Sequence, residues 1–125
     1  MLGNKDVMAT IPVRNVSAAR KFYEGILGFE LIDPAMAETS VYQSGKSRVL
    51  VYQSQYVGTN KATAATWTVG SDIEKIVQTL RAKGVTFEHY EMPSLKRNGD
   101  IFVGNNMKVA WFKDPDGNIL ALAGE

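Results

Sequence analysis

The same order of features occurs twice along this chain. Val13, Asn15, Gly28, Phe29 and Leu31 recur as Val69, Ser71, Gly84, Val85 and Phe87 at one constant offset. In each copy a strand leads to a helix cap, the helix stops at a glycine, and an apolar strand follows. A duplicated supersecondary unit restricts the fold to architectures built from two like modules. Within 125 residues each copy has room for a strand, a helix and three further strands. The expected fold is therefore α+β, with two βαβββ modules over about residues 6–56 and 62–125 of a single domain.

Residue periodicity fills in the elements. Val7 to Arg14 reads as a strand, with Met8, Thr10 and Pro12 on one face and Ala9, Ile11 and Val13 on the other. Pro12 cannot donate to a ladder, which suits an edge or a bulge. Asn15 or Ser17 caps a helix predicted from Val16 to Leu27, whose apolar positions are Val16, Ala19, Phe22, Tyr23 and Ile26. Phe29-Glu30-Leu31 opens a strand, and Thr39 to Gln43 with Arg48 to Gln53 forms a hairpin around Ser44-Gly45-Lys46. The polar stretch from Val57 to Lys61 joins the modules. Ala62 to Val69 is again a strand, and Ser71 and Glu74 have capping-box spacing. Ile73, Ile76, Val77 and Leu80 define a second helix, predicted to Lys83. Val85 to Tyr90 reads as a strand and Met92 to Asp100 as a loop. Lys108 to Lys113 and Asn118 to Ala123 form a last hairpin across Asp114-Pro115-Asp116-Gly117.

Composition removes several functions. Lys and Arg total 14 against 13 Asp and Glu, a balance that gives no electrostatic footprint for nucleic acid or an acidic membrane. The absence of cysteine excludes disulfides, thiolate metal sites and cysteine nucleophiles. Met1 to Val7 lacks a basic segment leading into an apolar core, and no apolar run is long enough to cross a bilayer. A soluble, cytoplasmic protein is expected. Gly45-Lys46-Ser47 lacks the upstream glycine and the following helix of a phosphate loop. The one histidine, His89, reads as a strand residue that faces solvent or bonds a neighbour, and nothing places a serine beside it.

Two strings go further. Phe22-Tyr23-Glu24-Gly25-Ile26-Leu27-Gly28-Phe29 and, after Trp111-Phe112-Lys113, Asp114-Pro115-Asp116-Gly117-Asn118 resemble the opening helix and closing hairpin of the vicinal oxygen chelate superfamily. That superfamily contains glyoxalase I, extradiol dioxygenases, fosfomycin-resistance enzymes and bleomycin-resistance proteins. The resemblance covers nearly the whole chain. It implies curved mixed sheets enclosing a cavity, usually in a homodimer. In metal-dependent members it implies a histidine on the first strand, a histidine on the strand opening the second module and a glutamate on the final strand. Imidazole and carboxylate hold a divalent ion there while open positions face the substrate. On this chain those positions fall on Met8, Ala64 and Ala121. None suits such a cation. The chain thus resembles a metal-ligand-deficient, bleomycin-resistance-type binding branch, with no cofactor.

The expected function is metal-free binding of a small aromatic organic molecule in the sheet cavity, as in sequestration of an antibiotic or toxin. The alternative is a lyase, isomerase or dioxygenase-type activity at an atypical or metal-independent site using His89, Tyr90 or Glu91. If Met8 faces the cavity, Thr10 and Pro12 do too, together with Ala64, Thr66 and Thr68, and with Ile119 and Ala121. Tyr42 and Tyr52 lie on the hairpin that forms the wall of the first module, and Phe102 and Met107 flank the stretch before the last hairpin. Arg48 either balances a ligand carboxylate or sits on the surface. Trp111 is suited to stacking on a planar ligand, to core packing or to a dimer surface. The candidate ligand contacts are Met8, Thr10, Tyr42, Arg48, Tyr52, Thr66, Phe102, Met107, Trp111 and Ala121, while Trp67 is assigned to the core beside Val69. The expected partners are a small organic ligand and a second copy of the chain, with no nucleic acid and no membrane.

Overall fold

The computed structural model describes residues 1–33 and 38–125, which divide into two compact units, Met1–Thr59 and Asn60–Glu125. In the first unit, β1 (Ala9–Val13), β2 (Glu30–Asp33), β3 (Thr39–Ser44) and β4 (Ser47–Gln53) form a sheet in the order β1-β4-β3-β2. β1 runs parallel to β4, and the other neighbours are antiparallel. Helix α1 (Val16–Arg20) follows β1 and continues directly as a π-helical stretch, Lys21–Ile26. The Asn15 side chain caps α1 by accepting from the Ala18 amide at 2.9 Å. The wider π winding brings the consecutive Phe22 and Tyr23 both onto the buried side. Gly28, at φ 78°, takes the left-handed conformation that ends the helix. Ile11, Val13, Tyr42 and Val51 are fully buried on the helix side of the sheet. The β3–β4 turn is two residues, Gly45 at φ 58° and Lys46, so pairing begins at Ser44 with Ser47.

The second unit contains β5 (Thr63–Gly70), α2 (Ile73–Ala82), β6 (Phe87–Glu88), β7 (Lys96–Asn98), β8 (Ile101–Gly104), β9 (Met107–Lys113) and β10 (Ile119–Gly124). Its sheet order is β5-β10-β9-β8-β7, with β6 also on β9. The parallel pair β5–β10 repeats β1–β4. Two short strands then share one strand's edge. β6 pairs with Trp111 and Phe112, and β8 pairs with Met107 to Val109.

This arrangement corrects two sequence expectations. The strand expected over Val85 to Tyr90 is only Phe87–Glu88, and the expected loop from Met92 to Asp100 contains β7. Every residue of β7 is exposed, so it carries no apolar alternation to read. Backbone pairing with β8 holds it, and Asn105 and Asn106, at φ 51° and 60°, supply the tight turn from β8 to β9.

Ile73, Val77 and Leu80 of α2 are buried, as are Ala110, Phe112, Leu120 and Leu122 of the sheet. The last hairpin shows why its turn has the sequence it does. Asp114 is buried, and one carboxylate oxygen accepts from the amides of Asp116 at 3.0 Å and Asn118 at 2.8 Å. The other oxygen accepts from the Asn118 side-chain amide at 2.8 Å, and Gly117 takes φ 87°. Among the described residues no helix is long and apolar enough to cross a membrane.

Candidate functional site

Strand register decides which candidate side chains share a face. In the first unit Thr10, Leu50 and Val41 form one row, Pro12, Tyr52 and Thr39 another, and Arg48 pairs with Gln43. All lie on the side away from α1. Thr10, Arg48 and Tyr52 are therefore brought together there, and Met8 precedes β1 at 39% exposure.

Tyr42 is on the opposite side. It pairs with Val49, and its hydroxyl donates to Glu24 at 3.0 Å. Arg20 donates to the same carboxylate at 2.7 Å. Burial pushes the Tyr42 phenol up to about 12, helped by Glu24, and the Arg20 hydrogen bond holds Glu24 below the usual carboxylate range. Tyr42 thus ties the π-helical stretch to the sheet. A polar cleft of about 580 Å³ lined by Arg14, Glu38, Gln53, Ser54, Gln55 and Val57 includes none of the candidates.

In the second unit Glu88, Trp111, Ala121 and Thr66 form one row, and Phe102, Val109, Ala123 and Thr68 the next. This is the face away from α2, because Gly124, on the other side of β10, approaches the Ile73 side chain. Thr66, Phe102, Trp111 and Ala121 are therefore brought together. Met107, exposed, shares their side farther along β9. Trp67 pairs with Leu122 on the α2 side and is half-buried.

Around Trp111 the sheet carries an aromatic corner. Phe102 meets it edge-on at 5.3 Å between centroids and Tyr90 at 5.4 Å, while His89 meets Phe102 at 6.2 Å. Among the described residues, the Tyr90 hydroxyl is the one buried side-chain polar atom without a hydrogen-bond partner. Burial pushes this phenol above its ordinary value and Glu88 adds to the shift, so it stays protonated. The Glu88 carboxylate lies 3.5 Å from the Lys113 ammonium. His89 Nε2 lies 2.8 Å from Asp100 Oδ1, and Arg81 bonds Oδ2 at 2.6 Å. The His89 hydrogen bond, followed by Arg81, holds the Asp100 carboxyl below its usual range. Sequence reading missed the Lys113 and Asp100–Arg81 pairings, because both join positions distant in sequence.

The three positions that the resemblance assigns to metal ligands carry no imidazole or carboxylate. Ala64 falls at a bulge in β5, Ala121 is buried in β10, and Met8 precedes β1. The single imidazole is engaged with Asp100. Among the described residues no group of three or more His, Cys, Asp or Glu could hold an ion.

A family model for the Glyoxalase/Bleomycin resistance protein/Dioxygenase superfamily matches residues 7–122. No curated protein matches the sequence. A superfamily member from Sphaerobacter thermophilus is similar, at 25% identity and a TM-score of 0.69, with 100% of each chain covered. A lactoylglutathione lyase from Agrobacterium tumefaciens shares the fold at 13% identity and a TM-score of 0.73, over 99% of this chain and 96% of its own. A fosfomycin resistance protein from Listeria monocytogenes does so at 12% identity and a TM-score of 0.75, over 98% and 93%. With the family model spanning nearly its whole length, the chain belongs to the glyoxalase/bleomycin resistance protein/dioxygenase superfamily.

Proposed function

We propose that this chain binds a small planar organic molecule without a metal, on the face that carries Thr66, Phe102, Trp111 and Ala121. The observation that carries the reading is the register of Ala121 beside Trp111 and Thr66. A small apolar residue occupies the position where metal-dependent relatives need a carboxylate, and an indole flanks it. An ionic anchor is absent from that row's centre, so apolar and stacking contacts are left to bind. Thr10, Arg48 and Tyr52 form a second candidate surface on the sheet of the first unit. The reading extends to sequestration of an antibiotic or toxin; a Listeria protein named for fosfomycin resistance has the same fold. The reading includes a single domain, a homodimer and a cytoplasmic location.

The test combines elemental analysis with native mass spectrometry of the purified protein. The expected result is a retained organic molecule and no stoichiometric metal. Stoichiometric zinc, iron, nickel or manganese would overturn it. A second reading draws on the His89–Asp100 pair, in which a carboxylate orients an imidazole for metal-independent acid–base chemistry. Turnover that vanishes in His89→Ala while binding persists would favour it.

A further inference from the structure

We propose that the Tyr90 hydroxyl is a ligand contact, donating to a carbonyl or carboxylate oxygen on an aromatic molecule whose ring lies against Trp111. The inference rests on the ring-binding reading above and names the chemistry that the ligand must carry.

Three observations converge. The Tyr90 hydroxyl is buried and unpartnered, and buried hydroxyls are otherwise nearly always paired. Tyr90 packs edge-on against Trp111, so its oxygen belongs to the same corner as the indole. Trp111 is only half-buried, and in the register it stands next to Ala121. A ring on the indole therefore comes near the phenol.

The neighbouring groups do not satisfy this oxygen. The Glu88 carboxylate acts on the phenol through its charge, yet it faces Lys113 at 3.5 Å and makes no hydrogen bond to Tyr90. The protonated phenol can donate as well as accept, and in the donor role proposed here its complement is an acceptor oxygen. Tyr90 lies outside the strands, between β6 and β7. Its oxygen is covered by packing, so the contact requires the ring to shift from its place against Trp111 when the ligand enters. The unpartnered oxygen is thus a standing preference for molecules that can accept.

The experiment uses benzoate, acetophenone and toluene as probes: two rings with an oxygen acceptor and one without. Binding is followed by the indole N–H nuclear magnetic resonance signal of Trp111, assigned with Trp67→Phe. Benzoate and acetophenone are expected to bind about tenfold more tightly than toluene, which is the discrimination of one hydrogen bond of about 1.4 kcal/mol. In Tyr90→Phe that preference should vanish while toluene binding is unchanged. If all three probes bind the native protein equally, or if Tyr90→Phe keeps the preference, the inference is wrong and the ring-binding reading stands. If none moves the Trp111 signal up to its solubility, the ring-binding reading itself fails.

Discussion

Removing one oxygen atom should have opposite effects at two tyrosines of this chain. Tyr42→Phe deletes a hydroxyl that donates to Glu24 at 3.0 Å from a fully buried ring. Hydrogen bonds to charged groups contribute about 1.5–3 kcal/mol. Glu24 keeps its bond from Arg20 and is partly exposed, but the buried Ser40 side chain also loses its bond to this hydroxyl, so the loss is about 1.5 kcal/mol or more. Tyr90→Phe deletes a hydroxyl that is desolvated without compensation. The buried group costs about 1–3 kcal/mol, so its removal should stabilise the protein by about 1 kcal/mol after the ring repacks. At about 4 °C per kcal/mol for a chain of this size, Tm should fall by about 6 °C or more in the first variant and rise by about 4 °C in the second. Urea denaturation followed by circular dichroism and tryptophan fluorescence gives the free energies, and unchanged m-values license the comparison. A Tyr90→Phe variant less stable than the native chain would show that the hydroxyl has a partner, and would refute the argument built on it.

Ala121→Trp should abolish benzoate binding at Trp111 by filling the face beside the indole, whereas His89→Ala should leave it unchanged; titration of both variants checks this. Asp100 has its carboxyl lowered from 3.8 by His89 and then Arg81, so its contribution is fully present above that value and is lost as pH falls through the lower folded value. Asp100→Asn should cost about 1 kcal/mol at neutral pH, because the network is partly exposed, and should flatten the acid limb of the urea midpoint against pH. Gly124→Ala should destabilise by about 3 kcal/mol, since the new methyl collides with the Gly70 carbonyl oxygen and lies 3.0 Å from Ile73 Cβ; thermal unfolding reads the loss.

Much of the fold was legible because burial imposes periodicity. Ile11 and Val13 against Thr10 and Pro12 gave the two faces of β1, and Val77 and Leu80 gave the buried side of α2. The repeat gave two like modules, and the structure adds that each joins its first and last strands as a parallel pair. Faces across a hairpin were harder. Placing the turn at Ser44-Gly45-Lys46 leaves the pairing open by one residue, and one residue decides the side on which Tyr42 points. With a two-residue turn, Tyr42 pairs with Val49 in the core and Tyr52 with Thr39 on the other face. Alternation left Trp111 and Phe102 unplaced; the strand register puts them on the face of Thr66 and Ala121, and the unpartnered state of Tyr90 depends on packing that no spacing encodes.

The pairing of β5 with β10 has a consequence for biosynthesis. Among the described residues β5 pairs with β10 alone in its sheet, and β10 is translated after every other strand of the unit. A nascent chain therefore carries β5 with its ladder groups open until the final segment emerges, an exposure that invites association with other chains. The first unit can complete its sheet once β4 has been translated, because β1 and β4 both lie within Met1–Thr59. Until Ile119–Gly124 is made, the second unit therefore stays unfinished while the first can fold.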